Sequence, residues 1–179
     1  MSPRCFLPRS GGPFIFVANH QSHLDTVAVL AGLPPRLRAR TTVAAAADFL
    51  FGRMSPASLF TSLVLNMFPF FRKDKFRANL VHIGGFIDKG RSVVIFPEGT
   101  RSRTGAMGEF KNGVGVIVKE MRVSVVPVKI RRSFELLPHN RRWPSPGAVE
   151  TVFGRETRFD TQTPDEITKT LQKMVAELE

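Results

Sequence analysis

A chain of 179 residues, 42% of them apolar, is long enough to close one hydrophobic core and too apolar for a disordered or collagen-like polymer. Lysine and arginine outnumber aspartate and glutamate 26 to 15, and the formal charge of +11 favours an anionic partner: nucleic acid, an acidic membrane surface or a phosphorylated substrate. A single cysteine, Cys5, excludes an intrachain disulfide and a cysteine-built zinc site.

Residues 1–13 hold no apolar run of the signal-peptide kind. Residues 14–18, FIFVA, follow Gly11-Gly12-Pro13 and predict a buried strand. Ser22, with Asp25 three residues on and TVAVLAGL behind it, predicts a helix with an acid in its first turn, ended by Leu33-Pro34-Pro35. Arg36, Arg38 and Arg40 make a basic connection, and TTVAAAA, residues 41–47, suits a second strand or a helix. Ser55-Pro56 opens a helix to about Leu65, and FPFFR beyond it is strand or irregular.

Phe76, Leu80, Ile83 and Ile87 recur at helical spacing, with Gly84 and Gly85 weakening the helix. SVVIF, residues 92–96, predicts a buried strand that runs straight into the loop PEGTRSRTG. A helix over 112–121 follows, then a strand, VSVVPVKI, in which Pro127 implies an edge or a bulge. AVETVF is a further short strand. Thr163-Pro164-Asp165-Glu166 spells a capping box with a first-turn proline, and Ile167, Leu171, Met174, Val175 and Leu178 mark the apolar face of the closing helix, about 164–178. Strands and helices alternate throughout, which predicts a single α/β domain over 1–179 with a mostly buried sheet. No window reaches the roughly 20 apolar residues of a spanning helix. The longest, residues 57–71, is shorter and contains Pro69, so it is either core or a surface contact with lipid. The sixteen phenylalanines sit mainly in apolar runs rather than interleaved with basic residues as on a base-stacking face.

Three constellations carry chemistry. Asn19-His20 ends the first strand, and Asp25 follows His20 after four residues. A neutral imidazole takes a proton from a hydroxyl near neutral pH when a carboxylate on its other nitrogen fixes the tautomer. The plainer alternative is a polar turn with Asp25 as a cap. His20 and His23 form H-x-x-H, but no further ligand stands nearby and no metal is expected; His23 reads as a polar residue at the helix start. The second constellation is IFPEGTRS, delivered by a buried strand. Gly99 lets the backbone approach an anion, Thr100 offers a hydroxyl, Arg101 a bidentate fork, and Glu98 an orienting carboxylate. The third is Arg72, directly after an apolar run, either the polar end of a strand or an anion clamp; Lys111 is equally open. Arg103 reads as exposed, and His82 and His139 as structural or surface residues.

In this order, Asn19-His20-Gln21-Ser22-His23-Leu24-Asp25, Arg72 after an apolar run, Phe96-Pro97-Glu98-Gly99-Thr100-Arg101 and Val126-Pro127-Val128, the chain resembles the glycerolipid acyltransferase family, best known for the 1-acylglycerol-3-phosphate acyltransferases. The resemblance covers about residues 14–153. It implies an α/β domain whose central, mostly buried mixed sheet is flanked by helices. It also implies acyl transfer from acyl-CoA or acyl carrier protein to the hydroxyl of a lysophospholipid, in phospholipid biosynthesis and with no cofactor. His20 would be the general base and Asp25 its partner. Arg72, Glu98, Gly99, Thr100 and Arg101 would bind the acceptor, with Asn19, Lys111 and Pro127 as further site residues. Donors near the Asn19-His20 turn or the Gly99 loop would hold the oxyanion, and a nucleophilic Ser22 is not required. The implied place is the cytoplasmic face of a membrane, peripheral or monotopic, with no nucleic-acid partner. The second motif departs from the family pattern, since Asn66 stands where glycine is usual and Pro69 interrupts. That widens the choice of acceptor to other lysophospholipids or glycolipids. A basic nucleic-acid-binding domain is the rival of a different class, and a catalytically idle lipid-binding module a third.

Overall fold

The computed structural model describes residues 11–47, 64–71, 76–141 and 143–179. Strand β1 (Phe14–Ala18) is buried at every position, as suits a strand covered on both faces. It leads into α1 (Leu24–Gly32), the short α2 (Pro35–Ala39), β2 (Thr41–Ala46) and β3 (Met67–Phe70). Then come α3 (Phe76–Asp88), β4 (Ser92–Ile95), α4 (Gly113–Met121), β5 (Ser124–Arg131), α5 (Ser133–Leu136), β6 (Glu150–Phe153) and α6 (Pro164–Glu177).

The strands order as β3-β2-β4-β1-β5-β6. All pairs are parallel except β5 with β6, so the sheet is mixed, and helices flank it. Side chains alternate between two layers. Ile15 and Val17, with Val93, Ile95 and Val125, pack toward Ile83, Ile117 and Leu171 of α3, α4 and α6. Phe14, Phe16 and Ala18, with Val94, Val126 and Val128, pack toward Val29 and Leu30 of α1. β1 lies between β4 and β5, so three parallel strands end side by side, where open α/β sheets present their sites.

Several local expectations shift. Pro35 does not merely end the first helix; it occupies the first turn of α2, where its missing N–H costs nothing, and Arg36 and Arg38 are helical. Of the 41–47 run, residues 41–46 are strand, as first read, and Ala47 is helical. Gly84 and Gly85 lie within an unbroken α3, whose buried Ile83 and Asn79 hold it in place. Pro127 sits in an interior strand, not at an edge. Val125 donates its amide to Thr157, so by alternation the missing N–H at 127 faces the β6 side, where the chain leaves the ladder at Gly154. The expected bulge is therefore on the partner. Of residues 57–71, the described part, 64–71, contributes Phe68 to the core with Phe70 packed beside it, while Val64 is 62% exposed. The helix expected from Ser55 lies mostly outside the described residues, as does Arg72.

Asn66 explains its own departure. Its φ of 51° is left-handed, the conformation for which glycine is the usual choice and asparagine a tolerated substitute. Its side chain donates to the Thr41 carbonyl at 2.9 Å, and its carbonyl accepts from Thr42 Oγ1 and the Val43 amide.

Candidate active site

His20 lies just past the end of β1, and Asp25 in the first turn of α1. The turn between them brings Asp25 Oδ2 to 2.9 Å from His20 Nδ1. A carboxylate accepts only, so Nδ1 carries a proton, and in the neutral ring Nε2 then keeps the lone pair. Oδ2 also accepts the amides of Gln21 at 2.6 Å and Ser22 at 2.8 Å. The two readings of this stretch are thus compatible: Asp25 braces the turn and faces the imidazole with the same oxygen. Asp25 is fully buried, whereas the His20 side chain is 21% exposed. The ring stacks on Phe96, centroids 4.3 Å apart and planes 24° from parallel, which fixes its remaining freedom.

The loop after β4 completes the setting. Glu98 is buried, and its Oε1 accepts the His20 amide at 2.7 Å while Oε2 accepts the Gly108 amide at 2.9 Å. Burial raises its pKa, and these two amide bonds oppose the rise. Its carboxylate therefore holds the backbone of the His20 turn. Ser102 adds a bond from its amide to the His20 carbonyl at 2.9 Å. Gly99 has φ of 71°, and a side chain there would come within 2.8 Å of Lys111 Nζ. Glycine is thus favoured by conformation, while the close Lys111 side chain lies over the loop and could swing away from a Cβ. Thr100 is exposed and Arg101 partly buried. Desolvation lowers the Arg101 pKa, and the charge of Asp25 opposes that shift.

Other candidates fall elsewhere. The Asn19 amide spans to β5, donating to the Ile130 carbonyl at 3.0 Å and accepting its N–H at 2.7 Å, so it braces the site from behind. Pro127 is buried in β5 opposite Val17. Ser22 Oγ donates to the Leu137 carbonyl at 2.8 Å and is buried, which removes it as a nucleophile. The amides of His20, Gln21 and Ser22 are all engaged, so the Asn19-His20 turn supplies no spare oxyanion donor. His23 begins α1 without capping it, and its pKa is lowered to about 4, first by desolvation, then by Arg101 and His20. His139, expected to be structural or at the surface, is exposed and lies near enough to His23 to contribute to that shift. Phe96, Ser102 and Gly108 escaped the sequence reading as positioning residues. Phe96 was inside a recognised motif, but Gly108 carries no local signal. Among the described residues, no group of three His, Cys, Asp or Glu side chains stands ready to hold a metal ion.

A family model described as Acyltransferase matches residues 5–131, which hold β1 through β5 and both loops of the site. The chain belongs to this acyltransferase family. It is 32% identical over 136 residues to the chloroplastic 1-acyl-sn-glycerol-3-phosphate acyltransferase BAT2 of Brassica napus, covering 74% of this chain and 37% of that protein. Against the chloroplastic 1-acyl-sn-glycerol-3-phosphate acyltransferase LPAT1 of Arabidopsis thaliana the identity is 31% over 136 residues, covering 74% and 35%. The chain thus spans little more than a third of the length of these relatives. The crystal structure of the 1-acyl-sn-glycerophosphate (LPA) acyltransferase PlsC from Thermotoga maritima shares the fold, with a TM-score of 0.68 at 23% identity over 92% of this chain and 63% of that one. In this member of the family, β6 and α6 lie beyond the span that the family model matches, yet α6 closes one core layer with Ile167, Leu171 and Val175.

Proposed function

We propose that the protein transfers a fatty acyl group from a thioester, acyl-CoA or acyl carrier protein, to the free hydroxyl of 1-acylglycerol-3-phosphate at a membrane surface. The observation that carries this reading is the 2.9 Å contact between His20 Nδ1 and Asp25 Oδ2, which leaves Nε2 as a proton acceptor at the mouth of the sheet. Nε2 takes the hydroxyl proton as the oxygen attacks the thioester carbonyl. The buried charge of Asp25 stabilises the imidazolium. The tetrahedral oxyanion collapses, the C–S bond breaks, and the departing sulfur takes the proton from Nε2. No covalent acyl-enzyme forms.

Arg101 grips the acceptor phosphate, with Thr100 and Lys111 beside it, and Arg72 is assigned to the same task by its motif. The oxyanion is assigned to donors of the loop that follows Gly99, since the amides of the first turn are engaged. Glu98 acts as a positioning residue through the His20 amide. No helix among the described residues is long and apolar enough to cross a membrane, so the reading places the lipid contact on a surface of this domain. The test is thiol release from acyl-CoA with and without lysophosphatidic acid. His20→Ala lowers the acceptor-dependent rate by about 10²–10⁴-fold, and retention of most activity would sink the base assignment. Acyl carrier protein thioesters and other lysophospholipids, run in parallel, fix donor and acceptor.

A further inference from the structure

The chain has one tryptophan, and it lies in the connection from β5 to β6. Trp143 is 80% exposed, the most exposed large apolar side chain among the described residues. An indole normally covers its large apolar area and keeps only its N–H near water. Topology fixes where this connection lies. β5 runs parallel to β1, so the exit of β5 and the end of β1 share one pole of the sheet, the pole of His20. The connection is fastened there: Ser22 Oγ, inside the catalytic turn, donates to the Leu137 carbonyl at 2.8 Å, and the Ser145 amide donates to the Leu136 carbonyl at 2.8 Å. The Arg141 amide closes a turn onto the Pro138 carbonyl at 3.1 Å, and its guanidinium reaches Ser145 Oγ. Pro144 and Pro146 restrict the backbone just after the ring, so its presentation costs little further entropy.

The connection that carries the ring is net basic, with Glu135 its one acid. It contains Arg132, Arg141 and Arg142, and Arg132, His139 and Arg141 are exposed. An exposed indole among arginines is the composition of an interfacial anchor: the ring sits at headgroup depth and the cations face lipid phosphates.

We propose that the loop bearing Trp143 docks the domain on an anionic phospholipid bilayer, with the indole in the headgroup region and Arg132 and Arg141 against the lipid phosphates. Docking through this loop sets the His20 pole at the interface, where a lysophospholipid enters without leaving the membrane. The choice of a lipid partner rests on the proposed function; the surface itself rests on exposure, charge and placement.

Because Trp143 is the sole tryptophan, intrinsic fluorescence reports it alone. Vesicles of equal parts phosphatidylcholine and phosphatidylglycerol shift its emission to the blue, and brominated acyl chains quench it. Pure phosphatidylcholine gives a much smaller shift, and added salt reverses the effect. Trp143→Ser partitions onto the mixed vesicles about tenfold more weakly, Trp143→Phe recovers most of the loss, and both melt where the parent does. Cosedimentation with vesicles at unchanged emission would assign docking to another surface and overturn the proposal, as would no binding at all. Blue emission without lipid that follows protein concentration would mean a second copy covers the ring, and would overturn it too. Binding is read without turnover, so it stands or falls separately from the thiol-release assay.

Discussion

Oδ2 of Asp25 accepts from three donors within 2.9 Å: His20 Nδ1 and the amides of Gln21 and Ser22. Asp25→Asn keeps an acceptor for the turn but loses the charge that stabilises an imidazolium. We expect thiol release to drop about 10³–10⁴-fold with the fold intact by circular dichroism. Glu98→Gln is a sharper structural lesion, because one of the two amides it serves would face an N–H₂ group. The expected cost is about 1–3 kcal/mol by urea denaturation, together with a fall in kcat as the His20 backbone loosens. His23 gives a pH signature. Its folded pKa of about 4 lies below the ordinary 6.5, so between those values the unfolded chain takes up a proton that the fold refuses. Stability therefore falls as pH drops from about 6.5 to about 4, and His23→Gln flattens that slope in urea midpoints taken across the range. The spacing of His20 and Asp25 was legible because a strand-turn-helix junction folds five residues back on themselves. The partners of Glu98 were not, since the His20 amide is 78 residues away and nothing local points to it.

At the scale of elements, glycines separate packing from propensity. Gly115 of α4 lies against α6, and a Cβ there would stand 1.9 Å from the Pro164 carbonyl oxygen and 2.5 Å from Thr168 Oγ1. Backbone cannot yield as a side chain tip does, so Gly115→Ala should destabilise by about 3 kcal/mol, the upper end for overpacking, read as a lower thermal midpoint. Gly85 of α3 is exposed, and a Cβ there meets nothing within 4 Å. Gly85→Ala should raise stability by roughly 0.5–1 kcal/mol in the same assay. The capping box of α6 was fully legible, since its bonds join Thr163 and Glu166 three residues apart. Pro127 was only half legible. A proline announces a missing donor, but whether its blank side meets solvent or a break in a neighbouring strand depends on β6, over twenty residues away.

For the whole molecule, alternation of strand and helix was enough to read an α/β fold, because covered strands and amphipathic helices each carry their own pattern. Strand order was not readable. Nothing in FIFVA says that it lies between SVVI and SVVPVKIR rather than beside its sequence neighbour TTVAAA. That order has a consequence for the birth of the protein. The central strand is the first in the described chain, and its two ladder partners arrive in reverse proximity, β4 after some 75 residues and β5 more than 100 residues later. During synthesis β1 waits with two bare edges, and the Asn19 clamp cannot close until Ile130 is made. A chain cut after α4 would carry both signature loops and yet leave one edge of β1 open, and it should aggregate rather than bind vesicles or release thiol. Ribosome-bound intermediates probed by proteolysis should accordingly become resistant only once β5 has emerged, so that the site is among the last parts of the protein to exist.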